Sequence, residues 1–390
     1  MKQLSLFFAF LVIISCGGSD DTVTPIINPP TTQLDMATVD ANVSDFMATY
    51  NIPGASLAIS KNGKLVYVKG YGKANLTSGD AVTTAHRFRL ASVSKTYTGI
   101  AIMKLIQDGQ FTLESKVFGP SGVLGNDYGT LPYNTNLQNM TVKHLLQHTS
   151  GSWGAASGGD VIDQNPNYTY KQLFDWILDT RPNPNTPGTT YDYTNVGYSL
   201  LGRIIEKKSG KSYINYIKED ILAPIGVTTT DIAGKTLADQ KPNEVTYYGQ
   251  GNDSPFVYTI AFPRRDADGG LIATATDVLK LITATDGFAT RPDMLSQATI
   301  TSFTTPSAAN TGYANGIGIW SAENVWYNYG SLPGTRTGFM RHNNGMCVAL
   351  LLNSRVNPSA NENPFVFDMQ DLMLDLVKNA NYNWQNIDQF

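Results

Sequence analysis

Residues 88–109 read FRLASVSKTYTGIAIMKLIQDG, with a serine three places before a lysine where a polar run turns into an apolar helix. Ala101, Met103, Leu105 and Ile106 continue at roughly helical spacing until Gly109 stops the pattern. Positions three apart share a helix face, so Ser92 and Lys95 are expected side by side in the first turn. There the positive end of the helix dipole favours negative charge developing on the serine. Taken alone, the pair has a plainer reading, in which Ser92 or Ser94 caps the helix and Lys95 is solvated. A chain of 390 residues holds about one or two S-x-x-K matches by chance, so the rest of the sequence has to decide.

Outward from this stretch, residues 34–51 (LDMATVDANVSDFMATYN) show helical spacing that ends at Asn51. Residues 55–72 (ASLAISKNGKLVYVKGYG) form two strand-like runs around Asn62-Gly63, a strong hairpin signal. Near the other end, residues 338–354 (GFMRHNNGMCVALLLNS) repeat that pattern around Asn344-Gly345, and residues 364–380 (PFVFDMQDLMLDLVKNA) form an amphipathic helix. Between them, about residues 95–290, lie helical segments broken by Gly, Pro and Asn loops; residues 141–151, 169–180, 196–210 and 275–288 are the clearest. The expected fold class is α/β in the broad sense (α+β). An antiparallel β-sheet flanked by helices is built from both chain ends (about 36–94 and 291–390), with a mainly helical region (about 95–290) inserted. A cleft is expected where the two regions meet.

Residues 1–16, MKQLSLFFAFLVIISC, carry one lysine and an apolar run too short for a comfortable membrane span. Residues 1–15 therefore read as a signal peptide. The small residue before Cys16 resembles the lipobox of bacterial lipoproteins, which implies lipidation of Cys16. Residues 16–35 are rich in Pro, Thr and Asp and read as a flexible tether, leaving residues 36–390 as the folded body. The expected address is the cell envelope, lipid-anchored and facing the periplasm or the cell surface. Cys16 and Cys347 are the only cysteines, so an acylated Cys16 leaves no disulfide. With 42% hydrophobic and 15% charged residues the body can bury a core, and a net charge of -4 without a basic stripe gives no case for nucleic acid.

Against that layout, residues 185–202 (NTPGTTYDYTNVGYSLLG) place Tyr193-Thr194-Asn195 just before another apolar helix. Together with Ser92-Val93-Ser94-Lys95 this resembles the serine β-lactamase and DD-peptidase superfamily. The likeness is to the class C β-lactamase-like branch, with its D-alanyl-D-alanine carboxypeptidases and related esterases. Residues 52–75 (IPGASLAISKNGKLVYVKGYGKAN), 145–151 (LLQHTSG), 268–281 (DGGLIATATDVLKL) and 330–339 (GSLPGTRTGF) carry the resemblance further, in family order, from about Ile52 to Ser354.

The chemistry can be argued beside the resemblance. A serine hydroxyl is a weak nucleophile until a neighbour takes its proton. No G-x-S-x-G elbow and no H-E-x-x-H pattern is present. His86, His144 and His342 have no partner spacing for a base or a metal, and the resemblance implies that His148 opens a structural loop. A lysine–tyrosine base pair remains: Lys95 partly desolvated in a cleft, with Tyr193 beside it, taking the Ser92 proton and returning it to the leaving group. The resemblance implies the same roles, with Asn195 a hydrogen-bond donor to the substrate amide or to Lys95. It also implies a strand bearing K-T-G or H-x-G, matched best by Asn328-Tyr329-Gly330 with Ser331 next. Gly330 is expected to let substrate approach the strand, and the N–H groups of Ser92 and Ser331 to form an oxyanion hole.

Here the sequence departs from the pattern, because Asn328 replaces the usual Lys or His and carries no charge. That shifts the expected substrate toward esters or neutral amides. Arg336, Arg341 and His342 are near enough in sequence to supply a charge, but read more simply as surface residues. Asp266-Ala267-Asp268-Gly269 resembles part of a calcium loop whose remaining ligands are missing. No metal and no cofactor is expected. The leading function is a serine hydrolase acylated at Ser92 that cleaves an ester or amide (a D-amino-acid peptide, a β-lactam or a carboxylic ester). The alternative is a catalytically weak penicillin-binding-like or cell-wall peptide-binding lipoprotein. The expected partner is a small-molecule or peptide substrate, and the sequence is silent on oligomeric state.

Overall fold

The computed structural model describes residues 36–151, 153–154, 161–181, 183–356 and 362–390. The expected signal peptide, the tether and Cys16 lie outside the described residues.

Helix α1 (Met36–Thr49) is followed by a hairpin of β1 (Gly54–Lys61) and β2 (Lys64–Gly72). Asn62 and Gly63 take φ of 50° and 76°, the left-handed pair that a tight hairpin needs. Strand β3 (Phe88–Arg89) leads through a 3₁₀ turn (Ala91–Val93) into α2 (Ser94–Gln107). The helical region then runs through α3 (Thr135–Asn139), α4 (Val142–Leu146), α5 (Tyr170–Thr180), α6 (Asn195–Ser209) and α7 (Tyr213–Tyr216). Strands β4 (Asp231–Ile232) and β5 (Leu271–Ala273) precede α8 (Ala275–Thr283) and α9 (Gln297–Thr304). The chain closes with β6 (Gly318–Trp320), β7 (Val325–Leu332), β8 (Thr335–His342), β9 (Met346–Leu352) and α10 (Glu362–Lys378).

The main sheet has the order β2-β1-β9-β8-β7-β6 and is antiparallel throughout. Pairing of β1 with β9, from Ala55↔Leu352 to Lys61↔Met346, joins the two ends of the chain as expected. Side chains alternate between two cores. Leu57, Ile59, Val348, Leu350 and Met340 pack with α1 and α10, whereas Ala58, Cys347, Ala349, Leu351 and Phe339 face the helical region. A strand covered on both faces reads as an unbroken apolar run, which is why MCVALLL in β9 is buried at every position.

The sequence pattern misses the small sheet β3-β5-β4, whose strands of two or three residues are too short to show a period. It also overextends α4, which stops at Leu146 because His148 takes φ of 55°. Helix α6 begins and ends within one residue of the stretch 196–210 read from the sequence. The Thr194 side chain accepts from the Val196 N–H at 3.2 Å, and Gly210, at φ 71°, closes the helix.

Candidate active site

Ser92 lies in the 3₁₀ turn just before α2 rather than in the helix proper. The i, i+3 relation survives, because side chains three apart eclipse in a 3₁₀ turn. The turn is held from behind. The Leu90 carbonyl accepts from Thr337 Oγ1 at 2.7 Å, and the Arg89 carbonyl accepts from Thr335 Oγ1 at 3.0 Å, both donors on β8. Ala91, next to the serine, has φ of 47°. That conformation costs an alanine about 1 kcal/mol or more and persists because the surrounding contacts leave the turn nowhere else to go.

Lys95 is fully buried. Its Nζ donates to Ser92 Oγ at 3.1 Å, Asn195 Oδ1 at 2.6 Å and the Asp268 carbonyl at 2.6 Å. An ammonium has three donors and no acceptor, and these partners match it. Asn195 therefore accepts from Lys95, correcting the expectation that it donates to the lysine. The Tyr193 hydroxyl meets Ser92 Oγ at 2.8 Å, and the Tyr193 ring centroid lies 4.9 Å from the ammonium. The structure thus brings Ser92, Lys95, Tyr193 and Asn195 together from two separate segments.

Below Lys95, Asp268 is fully buried, with its carboxylate on Arg265 Nε at 2.8 Å and Ser199 Oγ at 2.9 Å. Burial pushes the Asp268 carboxyl up, against the pull of the Arg265 guanidinium and then of Lys95. Asp266 pairs with Arg203 at 2.7 Å. The segment that resembles a calcium loop is thus a charge-paired support whose main-chain carbonyl holds the lysine. Among the described residues no His/Cys/Asp/Glu group is arranged to hold a metal.

Strand β7 flanks the serine, but two of its residues do something other than expected. Asn328 is 7% exposed, and its amide nitrogen faces the Ser92 carbonyl at 3.2 Å, Thr96 Oγ1 at 3.0 Å and the Gly316 carbonyl at 3.1 Å. Those contacts are internal: Asn328 ties β7 to the start of α2 rather than presenting its amide to substrate. At Gly330, a Cβ would sit 2.0 Å from the Leu90 carbonyl and 3.0 Å from the Ala91 Cβ. The space it leaves is filled by the protein's own serine-bearing turn. Strand β6 pairs with β7 only between Val325 and Tyr327. Among the described residues no strand covers the edge of 328–332, which runs beside Ser92.

Ser331 receives a hydrogen bond on its Oγ from Arg355 at 2.8 Å, and Arg355 pairs with Asp253 at 2.6 Å. Sequence reasoning missed this arginine, which sits past the end of β9 with no motif around it. Arg336 and Arg341 are not surface residues: they are 7% and 5% exposed. Arg336 lies over the Tyr329 ring, and Arg341 stacks on Phe288 and Trp326 while donating to the Asp286 carbonyl. His342 Nδ1 accepts from the Asn344 N–H within the β8–β9 turn. None of these contacts involves Ser92. His148 is fully buried, its ring centroid 4.2 Å from that of Tyr193. Burial, then the nearby Lys95 charge, hold its imidazole well below the usual histidine range, so it is neutral.

A family profile described as Beta-lactamase matches residues 39–368. Among curated proteins, Protein flp of Staphylococcus aureus (strain N315) is 29% identical over 242 residues, covering 62% of this chain and 47% of that protein. Penicillin-binding protein 4* of Bacillus subtilis (strain 168) is 26% identical over 317 residues, or 73% of this chain and 64% of that protein. The chain thus spans about half to two thirds of the length of these relatives. The D-amino acid amidase of Ochrobactrum anthropi SV3 superimposes with a TM-score of 0.71 at 22% identity, over 88% of this chain and 98% of that one, a likeness of fold. With the profile running through nearly the whole folded body, the chain belongs to the beta-lactamase family.

Proposed function

We propose that this chain is a serine acyl hydrolase acting on esters or neutral amides through an acyl-enzyme at Ser92. The observation that carries the reading is the contact of Ser92 Oγ with both Tyr193 OH (2.8 Å) and Lys95 Nζ (3.1 Å), with the lysine fully buried. A pure binding protein has no use for a buried ammonium and a phenol on one hydroxyl.

The proposed cycle follows from those distances. Tyr193 enters the cycle as a phenolate, its proton released to solvent beforehand and its charge offset by Lys95, and accepts the Ser92 proton as Oγ bonds to the substrate carbonyl carbon. The N–H groups of Ser92 and Ser331 are assigned to the developing oxyanion, where one donor is commonly worth about 3 kcal/mol. As the carbon–heteroatom bond breaks, Tyr193 returns the proton to the departing alkoxide or amine. Water then repeats the attack on the acyl-enzyme, and Ser92 leaves with its proton restored. The bare edge of β7 suits an extended amide lying alongside it. Asn328 supports the preference for uncharged substrates, since it places no cation beside the serine. The shared fold of the D-amino acid amidase makes D-configured amides a natural first set to try.

The test is intact-protein mass spectrometry after incubation with a fluorophosphonate and, separately, with a fluorescent penicillin, on the wild type, Ser92→Ala and Asn328→Lys. We expect a Ser92-dependent adduct with the fluorophosphonate and weak or no labelling by penicillin. Rapid Ser92-dependent labelling by both would move the substrate class to carboxylate-bearing peptides or β-lactams. No Ser92-dependent adduct with either probe would overturn the hydrolase reading in favour of a binding protein.

A further inference from the structure

His148 holds the segment Asp192–Thr194 at three points. Its main-chain carbonyl accepts from the Asp192 N–H at 2.8 Å, and its Nδ1 accepts from the Thr194 N–H at 3.2 Å. The residues on either side of Tyr193 thus each donate a backbone N–H to one residue. Between them the imidazole lies along the Tyr193 ring, 4.2 Å between centroids at 36°. Tyr313 and Tyr198 close round the imidazole at 4.8 Å and 5.1 Å, and the Tyr198 hydroxyl is tied to the Leu146 carbonyl at 2.7 Å.

Two features of His148 run against plain stability. Its φ of 55° is uncommon for a residue with a side chain. With Nδ1 accepting, the ring proton sits on Nε2, which is buried with no hydrogen-bond partner among the described residues. A buried donor left unpaired is costly and native proteins hold few of them. A simple apolar ring would fill the same space, but would leave the Thr194 N–H unpaired in its place. What only a neutral imidazole supplies is a flat face for Tyr193 together with an acceptor for the next peptide. Burial keeps the ring neutral, which keeps that acceptor in place.

We infer that His148 is a positioning residue that aims the Tyr193 hydroxyl at Ser92, an inference that rests on reading Tyr193 as the base. The angular tolerance of such a contact is small, and a displacement of about 1 Å can cost about 10²-fold in rate.

Two variants separate the two parts of the device. His148→Asn keeps an acceptor at the δ position and tolerates a positive φ, but removes the ring. His148→Phe keeps a ring and removes the acceptor. Crystal structures of both, with steady-state hydrolysis of a nitrophenyl ester, form the test. We expect the Tyr193 hydroxyl to leave hydrogen-bonding distance of Ser92 in at least one variant, with kcat down at least about tenfold and KM nearly unchanged. If Tyr193 stays within about 3 Å of Ser92 in every variant that folds, the inference fails, whatever the rates. The crystallographic readout needs no turnover. An inert wild type would therefore sink the hydrolase reading while the place of Tyr193 still decides this one.

Discussion

At the scale of single residues, Asn328 shows how a motif letter can be placed correctly and still be misread. Its position on β7 beside Ser92 follows from the sequence, but the direction of its amide does not, because that depends on which strand face meets α2. The structure turns it inward, where it reaches the Ser92 and Gly316 carbonyls and Thr96 Oγ1. Asn328→Ala should therefore cost about 1–3 kcal/mol of stability, the usual penalty for leaving buried acceptors short of a donor. Chemical denaturation checks this, and an unchanged midpoint would show the contacts to be dispensable. Ser92 and Lys95 were legible as a pair because their spacing is one that local structure preserves, whereas Tyr193 was picked out by the family resemblance. The Asp268 carbonyl on Lys95 was not legible: every residue has a carbonyl, and the letters around this one suggest calcium rather than a lysine. Arg355 was illegible for a similar reason, since its contact with Ser331 depends on the fold of a loop after β9.

At the scale of elements, the site depends on how closely β7 meets the turn before α2. Gly330 allows that approach, and the Thr335 and Thr337 hydroxyls on β8 hold the turn's carbonyls from the neighbouring strand. Gly330→Ala places a methyl within 2.0 Å of the Leu90 carbonyl, a backbone atom that cannot swing aside. The expected result is a separation of β7 from the turn and a loss of kcat of about 10²-fold or more, with a fall in stability of about 1–3 kcal/mol. Ester turnover and thermal melting on the same sample check both parts, and wild-type turnover would show that the strand has slack. The hairpins, α1, α2, α5, α6 and α10 could be read from periodicity and turn residues. The strands β3, β4 and β5 could not, although β3 and β5 fix the entry to the serine turn: the Leu90 N–H donates to the Leu271 carbonyl at 2.8 Å.

At the scale of the whole molecule, the helical region and the sheet are joined at seams, and one of them is sensitive to pH. Asp286, just after α8, offers its carbonyl to Arg341 on β8 at 2.6 Å. Burial, with the neighbouring Asp293 charge, pushes the Asp286 carboxyl up to about 6 despite the Phe288 N–H and Arg341. Between pH about 4 and about 6 the native carboxyl keeps a proton that the unfolded chain has released. Stability from this group is therefore present below pH about 4, falls as pH rises through that window, and is gone above pH about 6. Asp286→Asn keeps the shape without the charge. It should raise stability at pH 7.5 by about 1–2 kcal/mol, and leave it nearly unchanged at pH 4. Melting curves at the two values decide it, and an equal effect at both would remove the charge from the explanation. The pairing of the two chain ends has a consequence of another kind, in the timing of synthesis. The Gly54 N–H bonds the Asn353 side chain 299 positions later, so β1 stays without its β9 partner while all the intervening residues are made. At ~5–20 residues per second that wait is about 15–60 s, during which the first hairpin presents a bare apolar edge of the kind that recruits other chains. A nascent chain halted before β9 should consequently carry its serine and lysine, yet be a client for chaperones rather than an enzyme.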